Sequence, residues 1–237
     1  MKIIVCIKQV PDTTEVKLDP KTGRLIRDGV PSIINPDDKN ALEEALRIKD
    51  ENPDTTVTVV SMGPPQADVA MREALAMGAD EAILISGREF GGSDTWATSY
   101  IIATAIKKIP DYDIIFCGRQ AIDGDTAQVG PQIAEQLNIP QITYVQKLDI
   151  EGDKVIVQRQ LEDGYTVVEA KMPVLLTAIK ELNTPRYMTP KGIFEAYNKT
   201  VQVWGFNDVP VDAEKIGLKG SPTNVNRTFS PEAKGKG

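Results

Sequence analysis

A glycine-rich segment follows a short apolar stretch near the middle of the chain. Residues 113–117 (DIIFC) predict a buried strand, and residues 118–131 (GRQAIDGDTAQVGP) place three glycines among small polar residues before a helical pattern. Glycine lets a backbone approach an anion closely, and the free N–H groups of a helix N-terminus attract negative charge. The spacing matches neither a P-loop nor a GxGxxG fingerprint. Two interpretations therefore stay open, a phosphate-binding loop and a plain surface turn.

The residue types exclude several kinds of catalysis. The chain has no histidine, which removes Ser-His-Asp and Cys-His mechanisms and every site built on histidine ligands. Its two cysteines, Cys6 and Cys117, lie near the ends of predicted strands, and two thiols cannot hold a metal ion unaided. We predict both to be buried and unpaired. We assign no catalytic acid or base and no metal ligand.

Net charge and hydropathy argue against two kinds of binding partner, nucleic acid and membranes. The 237 residues carry a net charge of −7 at pH 7, which argues against nucleic-acid binding because that requires a basic face. The apolar N-terminal stretch is too short for a signal peptide, and no run of about 18 apolar residues predicts a membrane span. We therefore expect a cytoplasmic protein that contacts neither nucleic acid nor a membrane.

Apolar strands alternate with helical patterns in the first half of the chain. The predicted strands are residues 2–8, 56–62, 81–86 and 113–117. Asp38 is the expected N-cap of the first helix, Gly78 the C-cap of the second, and Asp94 and Thr95 open the third. This alternation is typical of a parallel sheet with helices on both faces. Ligands of such folds bind at the carboxyl ends of the strands, here the loops 8–12, 62–65, 87–95 and 118–128.

The pattern changes after about residue 138. Short strand-like runs follow, separated by hairpin turns at residues 151–153 and 162–164: 141–148, 154–161, 165–171 and 173–179. We expect them to extend the same sheet with antiparallel strands. The chain then divides into an α/β domain over residues 1–197 and an extended segment over residues 198–237. Because Pro131 does not suit a helix that begins at Asp125, we expect the helix to begin near Gln128.

Four ordered motifs resemble one protein family. They are residues 5–12 (VCIKQVPD), 74–80 (ALAMGAD), 118–125 (GRQAIDGD) and the stretch from 171–173 (KMP) through 183–188 (NTPRYM). Together they resemble the β (small) subunit of electron-transfer flavoprotein over nearly the whole chain. The resemblance implies a fold similar to the adenine-nucleotide α-hydrolases and an adenine nucleotide held in it. It also implies a heterodimer with a larger, flavin-carrying α subunit.

The resemblance also implies which residues contact the nucleotide. The adenine would lie between Cys6 and Met62, and the phosphates would meet the N–H groups of residues 124–129. The predicted cofactor-binding residues are Cys6, Asn35, Pro36, Asp37, Asp38, Met62, Gly118, Arg119, Gln120, Ala121, Ile122, Asp123, Gly124, Asp125, Thr126, Ala127, Gln128 and Val129. From the residues alone, Asn35 to Asp38 could equally begin an ordinary helix, and Met62 could be a core residue.

Two stretches resemble the electron-bifurcating members that hold FAD in place of AMP. They are residues 124–131 (GDTAQVGP) and 90–98 (FGGSDTWAT), from which we add Phe90, Gly91, Gly92, Asp94 and Thr95 to the predicted cofactor site. We expect Gly91, Gly92 and Ser93 to leave room along the ribityl chain. Asp94 and Thr95 could bind ribityl hydroxyls, cap the next helix, or both. AMP, in a member that only relays electrons, is the alternative cofactor. A stand-alone nucleotide sensor of the universal-stress type is a further alternative.

The bifurcating type implies further partners. NAD(H) would be the hydride-exchanging substrate, and the electron acceptors would be ferredoxin and a flavin dehydrogenase of the acyl-CoA, enoyl-CoA or 2-hydroxy-acid type. In relatives, the loop that matches residues 185–195 anchors the dehydrogenase through an exposed apolar side chain. Packing of this loop on the chain's own core is an equally open interpretation from the sequence.

Overall fold

The elements of the chain alternate as the sequence predicts. A computed structural model describes residues 1–12, 17–18, 25–26 and 31–224. The strands in that part are β1 (Lys2–Cys6), β2 (Gln9–Pro11), β3 (Lys17–Leu18), β4 (Leu25–Ile26), β5 (Ser32–Ile34), β6 (Thr56–Met62), β7 (Glu81–Ile85), β8 (Ile114–Gly118), β9 (Gln141–Glu151), β10 (Lys154–Gln160), β11 (Tyr165–Lys171), β12 (Val174–Ala178) and β13 (Val201–Trp204). The helices are α1 (Pro36–Glu51), α2 (Asp68–Met77), α3 (Thr95–Ile106), α4 (Val129–Leu137), α5 (Pro190–Asn198) and α6 (Gly217–Gly220).

A nine-stranded sheet organises the described residues. Its order is β11-β10-β9-β12-β8-β1-β6-β7-β13. All neighbours from β9 to β13 pair in parallel, whereas β10 is antiparallel to both β9 and β11. The predicted parallel sheet with an antiparallel extension is therefore confirmed.

One strand of the expected extension, over residues 173–179, is not antiparallel as we predicted. Strand β12 returns between β8 and β9 and runs parallel to both. All five of its residues, VLLTA, are buried. A strand that is apolar on both faces suits the centre of a covered parallel sheet better than an exposed edge, which explains this position.

Helices cover both faces of the sheet. Alternate β1 residues point to opposite sides, so Ile3 and Val5 pack in one core cluster while Ile4 and Cys6 pack in the other. The first cluster takes the apolar stripes of α1 and α2, and the second takes those of α3 and α4. Gly78 ends α2 as predicted, with φ 134° and its N–H donating to Ala74 and Leu75.

The division of the chain after residue 197 stays a prediction. Strand β13 pairs in parallel with β7, from Val201 opposite Ala82 to Trp204 opposite Ile85. The sheet therefore continues seven residues into the segment that we expected to be extended. In the described part of the chain, no helix is both long and apolar enough to cross a membrane.

Candidate nucleotide site

A cavity of about 400 Å³ lies at the carboxyl ends of β1, β6 and β8. Within the sheet, β6 and β7 lie to one side of β1, and β8 pairs with β1 on its other side. The strand order thus reverses between β1 and β8, where ligands of open parallel sheets bind. The volume lies within the range of small-molecule sites.

The structure brings most of the predicted residues to this cavity. Those that line it are Cys6, Asp38, Met62, Asp94, Thr95, Gly118, Arg119, Gln120, Ala121, Gly124, Asp125, Thr126, Ala127, Gln128 and Val129. Those outside its lining are Asn35, Pro36, Asp37, Phe90, Gly91, Gly92, Ile122 and Asp123.

Asp38 connects the ends of the two strands at the reversal point. Its Oδ2 accepts a hydrogen bond from the Lys8 N–H at 2.7 Å, and its Oδ1 accepts one from the Gly118 N–H at 3.0 Å. The carboxyl group is buried, and this burial raises the pKa of Asp38 to about 7. The expectation that Asp38 is an N-cap is wrong. Helix α1 begins at Pro36 with Asn35 in the cap position, so Asp38 lies inside the first turn and faces the sheet.

Asn35 supports the loop after β8 from behind the cavity wall. Its Oδ1 accepts a hydrogen bond from the Ile122 N–H at 3.0 Å, and its Nδ2 donates one to the Gln120 carbonyl at 2.8 Å. Its own N–H donates to the Lys8 carbonyl at 2.9 Å. The side chain is fully buried. Asn35 therefore positions the residues that line the cavity and does not line it itself.

Gly118 allows α1 to approach β8 closely. A Cβ at this position would meet Asp38 Oδ1 and lie 2.7 Å from the Asp38 nitrogen. Real Cβ atoms do not come so near to backbone, so the contact between α1 and β8 requires glycine here. Beside it, Arg119 Nε lies 3.3 Å from Asp37 Oδ2, and this ion pair holds Asp37 behind the wall.

The loop between Gly118 and α4 has an unusual backbone. Asp125 and Ala127 have φ values of 50° and 53°, a left-handed region that residues other than glycine seldom adopt. Alternation of right- and left-handed residues turns successive N–H groups toward one side and forms an anion-binding concavity. In the described part of the chain, the N–H groups of Thr126, Ala127 and Gln128 have no protein acceptor.

The start of α4 agrees with the sequence, but the donor set is smaller than predicted. Helix α4 begins at Val129 with Gln128 in the cap position. The N–H groups of Gly124 and Asp125 donate to the Ala121 carbonyl, at 3.1 and 2.9 Å, and so are already used within the loop. In the described part of the chain, the predicted donors that stay free are therefore those of residues 126–129.

Asp94 caps α3 and also holds the C-terminal segment. Its Oδ1 accepts from the Ala97 N–H at 3.0 Å, and its Oδ2 accepts from the N–H and hydroxyl of Thr223 at 2.9 and 2.7 Å. Partial burial opposes ionisation, but these hydrogen bonds lower the pKa of Asp94 below its usual value. The cap interpretation holds. Thr95 donates to Gln128 Oε1 at 3.0 Å and so connects α3 to the start of α4.

The turn before α3 does not leave the space that we expected. Phe90 is buried in the core cluster of α3 and α4. Gly92 has φ 78°, and a Cβ there would meet the Leu218 side chain at 3.3 Å. The C-terminal segment thus fills the space beside this turn. The cavity geometry gives no support to cofactor contacts by Phe90, Gly91 and Gly92.

Two thiols lie side by side at the cavity floor. Cys6 and Cys117 are paired residues of β1 and β8, and both are buried and free, as predicted. The hydrogen bond with the Cys6 thiol, together with burial, raises the pKa of Cys117. Cys117 is therefore neutral at physiological pH, and the two sulfur atoms offer a soft surface to a ligand.

The cavity is also lined by residues outside the predicted cofactor-binding set: Ile7, Lys8, Ser93, Thr98, Ile102, Cys117 and Gly130. Ile7 and Lys8 directly follow β1, so their place at the carboxyl end of a parallel strand was available as a signal. Thr98 and Ile102 lie one and two turns into α3. Nothing in their local pattern distinguishes them from residues of an ordinary helix face.

Comparison with known proteins identifies the family. The model of the electron transfer flavoprotein domain matches residues 22–209. The chain is 63% identical to the electron transfer flavoprotein subunit beta of Clostridium acetobutylicum, over all of this chain and 91% of that protein. It is 61% identical to the caffeyl-CoA reductase-Etf complex subunit CarD of Acetobacterium woodii, over all of this chain and 90% of the relative.

A third relative is the acryloyl-CoA reductase electron transfer subunit gamma of Anaerotignum propionicum, 54% identical over all of this chain and 91% of that protein. The chain therefore belongs to the electron transfer flavoprotein family. Within that family it is a β subunit, as the sequence motifs predict.

The raised pKa of Asp38 predicts a pH dependence of stability. In the unfolded chain the carboxyl group ionises near its ordinary value, whereas in the fold it holds its proton up to about pH 7. Folding then binds a proton between these values, so this group's contribution to stability is lost as the pH rises. From pH 5 to pH 7 we expect a loss of about 2 kcal/mol in the free energy of unfolding, measured by urea denaturation.

Asp38→Asn removes this titrating group, so the loss of about 2 kcal/mol assigned to it between pH 5 and pH 7 should disappear. Any loss from Asp37 and Glu44, whose pKa values burial also raises, should remain. Asp149→Asn alters an exposed carboxylate that is paired with Lys147 and should keep the loss. An Asp38→Asn variant with the pH profile of the unmodified chain would show that Asp38 is ionised in the fold.

Proposed function

We propose that this chain is the FAD-binding β subunit of an electron-bifurcating electron transfer flavoprotein. The observation that carries the proposal is the extent of the cavity. It runs from the thiols at the ends of β1 and β8, past the free N–H groups of residues 126–128, to Ser93, Thr95 and Thr98 at the start of α3. A mononucleotide needs the first two parts. The third part extends the cavity for a longer ligand and brings the Thr98 hydroxyl to it, whereas the Ser93 and Thr95 hydroxyls already bond to protein groups.

The residues present suit such a group. Cys6 and Met62 offer soft apolar surfaces to the adenine ring, and the left-handed backbone at Asp125 and Ala127 turns N–H groups toward the phosphates. FAD bound there would supply the redox chemistry, taking a hydride from NADH and passing electrons to ferredoxin and to the large subunit's flavin. The chain's own part is to hold and orient this cofactor. We assign it no proton-transfer residue.

The proposed partners are the large α subunit, ferredoxin and a flavin dehydrogenase. The names of the Acetobacterium and Anaerotignum relatives connect those proteins with acyl-CoA-type reductases. This chain has a group of exposed apolar side chains on and near α5: Tyr187 is 95% exposed, Phe194 76% and Tyr197 71%. Such a patch is typical of a docking surface. We propose that the dehydrogenase binds there.

The cofactor content of the heterodimer tests the proposal. After co-purification with the large subunit and acid release, we expect two FAD per heterodimer by chromatography with absorbance detection. One FAD with one AMP would contradict bifurcation and favour a member that only relays electrons. A chain that binds AMP but no large subunit would favour the stand-alone sensor.

Gly124→Val tests the assignment of the phosphate loop. A Cβ at Gly124 would meet no atom within 4 Å, and the residue lines the cavity. The valine methyl groups would therefore occupy ligand space without disturbing the protein. We expect loss of the bound nucleotide on purification, with the melting temperature changed by no more than about 2 °C.

Gly164→Val is the matched control. This glycine is also free of neighbours within 4 Å, and it lies in the turn between β10 and β11, away from the cavity. The control should retain its nucleotide. If Gly124→Val retained it equally, the loop would not be the phosphate-binding segment.

A further inference from the structure

Lys8 is held by its backbone at the edge of the cavity. Its N–H donates to Asp38 Oδ2 at 2.7 Å, and its carbonyl accepts from the Asn35 N–H at 2.9 Å. The main chain is thus fixed on both sides, and the side chain alone is free to move. Its ammonium group lies 2.6 Å from Asp123 Oδ1, on the loop that carries the free N–H groups.

Among the described residues that line the cavity, two are cationic, and Lys8 is one of them. The other, Arg119, lies beside the largely buried Asp37 behind the wall. The Lys8 side chain is 48% exposed, and its partner Asp123 lies outside the cavity lining. Lys8 is therefore the cation that can turn toward a ligand, whereas Arg119 already balances a buried carboxylate.

A simpler interpretation is an ordinary surface ion pair. Such pairs contribute little to stability, and several occur elsewhere on this chain, for example Lys154 with Glu169 at the same distance of 2.6 Å. Lys8 differs from Lys154 because it lines the cavity, as do residues 126–128 with their unpaired N–H groups. A phosphate there would carry more charge than one carboxylate and would compete for the ammonium group.

We propose that Lys8 binds a phosphate of the adenine nucleotide, and that Asp123 competes with this phosphate for the Lys8 ammonium group. The inference rests on the proposed function, since it requires an adenine nucleotide in this cavity. It adds a side-chain cation to a site otherwise built from backbone donors. It also gives Asp123 a definite role, which is to weaken nucleotide binding by neutralising Lys8.

Substitutions of Lys8 and of Asp123 should change the Kd for ADP in opposite directions. ADP, which carries the diphosphate of FAD, and adenosine, which lacks phosphate, are titrated into the nucleotide-free full chain by calorimetry. Lys8→Gln should raise the Kd for ADP about tenfold, since a charge-assisted contact is lost. Asp123→Asn should lower the Kd about threefold, since Lys8 is released from a surface pair. Lys8→Arg should stay within about threefold of the unmodified chain.

Two controls complete the experiment. Lys154→Gln breaks a pair of equal length outside the cavity and should leave the Kd for ADP unchanged. Adenosine should bind all variants alike. If Lys8→Gln left the Kd for ADP unchanged, or if Asp123→Asn weakened binding as Lys8→Gln does, the inference would be wrong. In the second case the pair would act by holding the loop.

A different result would reject the underlying proposal. If the unmodified chain bound neither ADP nor adenosine while remaining folded by circular dichroism, the proposed nucleotide site would be wrong, and the role of Lys8 with it. Binding of ADP by the unmodified chain, with no effect of Lys8→Gln, would leave the site intact and reject Lys8 alone.

Discussion

A buried carboxyl group connects the ends of the two strands at which the cavity opens. Without Asp38, the N–H groups of Lys8 and Gly118 at the ends of β1 and β8 would lose their hydrogen-bond partner. Asp38 accepts from both. The charged form of a buried carboxyl group is costly, and the raised pKa of Asp38 reflects that cost. This contact fixes the positions of Lys8, of the loop after β8 and of the Cys6 and Cys117 thiols at the cavity floor.

Helix α1 positions two separate surfaces. Its start places Asp38 in the cavity wall and Asn35 behind that wall. Further along, Glu43 accepts from Arg186 Nε at 2.8 Å, and Asn40 accepts from Asn183 at 3.0 Å. The residues that precede the exposed apolar group on and near α5 are thus attached to the same helix as the cavity. A rigid helix between them keeps the proposed cofactor at a fixed distance from the proposed docking surface.

Local pattern predicts the elements well and the contacts poorly. The apolar stretches predict β1, β6, β7 and β8, and the carboxyl-end rule brings their loops to one cavity. The role of Asp38 was missed because its partner Gly118 lies 80 residues away, and a capping pattern is satisfied locally. The contact of Gly92 with Leu218 could not be predicted for a similar reason, because the two residues lie far apart in the sequence and no local pattern indicates it.

The proposed adenine nucleotide lies at the carboxyl ends of β1 and β8, with its phosphates at residues 126–128. The most direct measurement is a crystal structure of this chain with the large subunit and its retained cofactors. We predict phosphate oxygens within about 3 Å of the Thr126, Ala127 and Gln128 nitrogens, and an adenine ring between Cys6 and Met62. A nucleotide bound elsewhere on the chain would contradict the proposed site. A nucleotide with its adenine at residues 126–128 would contradict the proposed orientation.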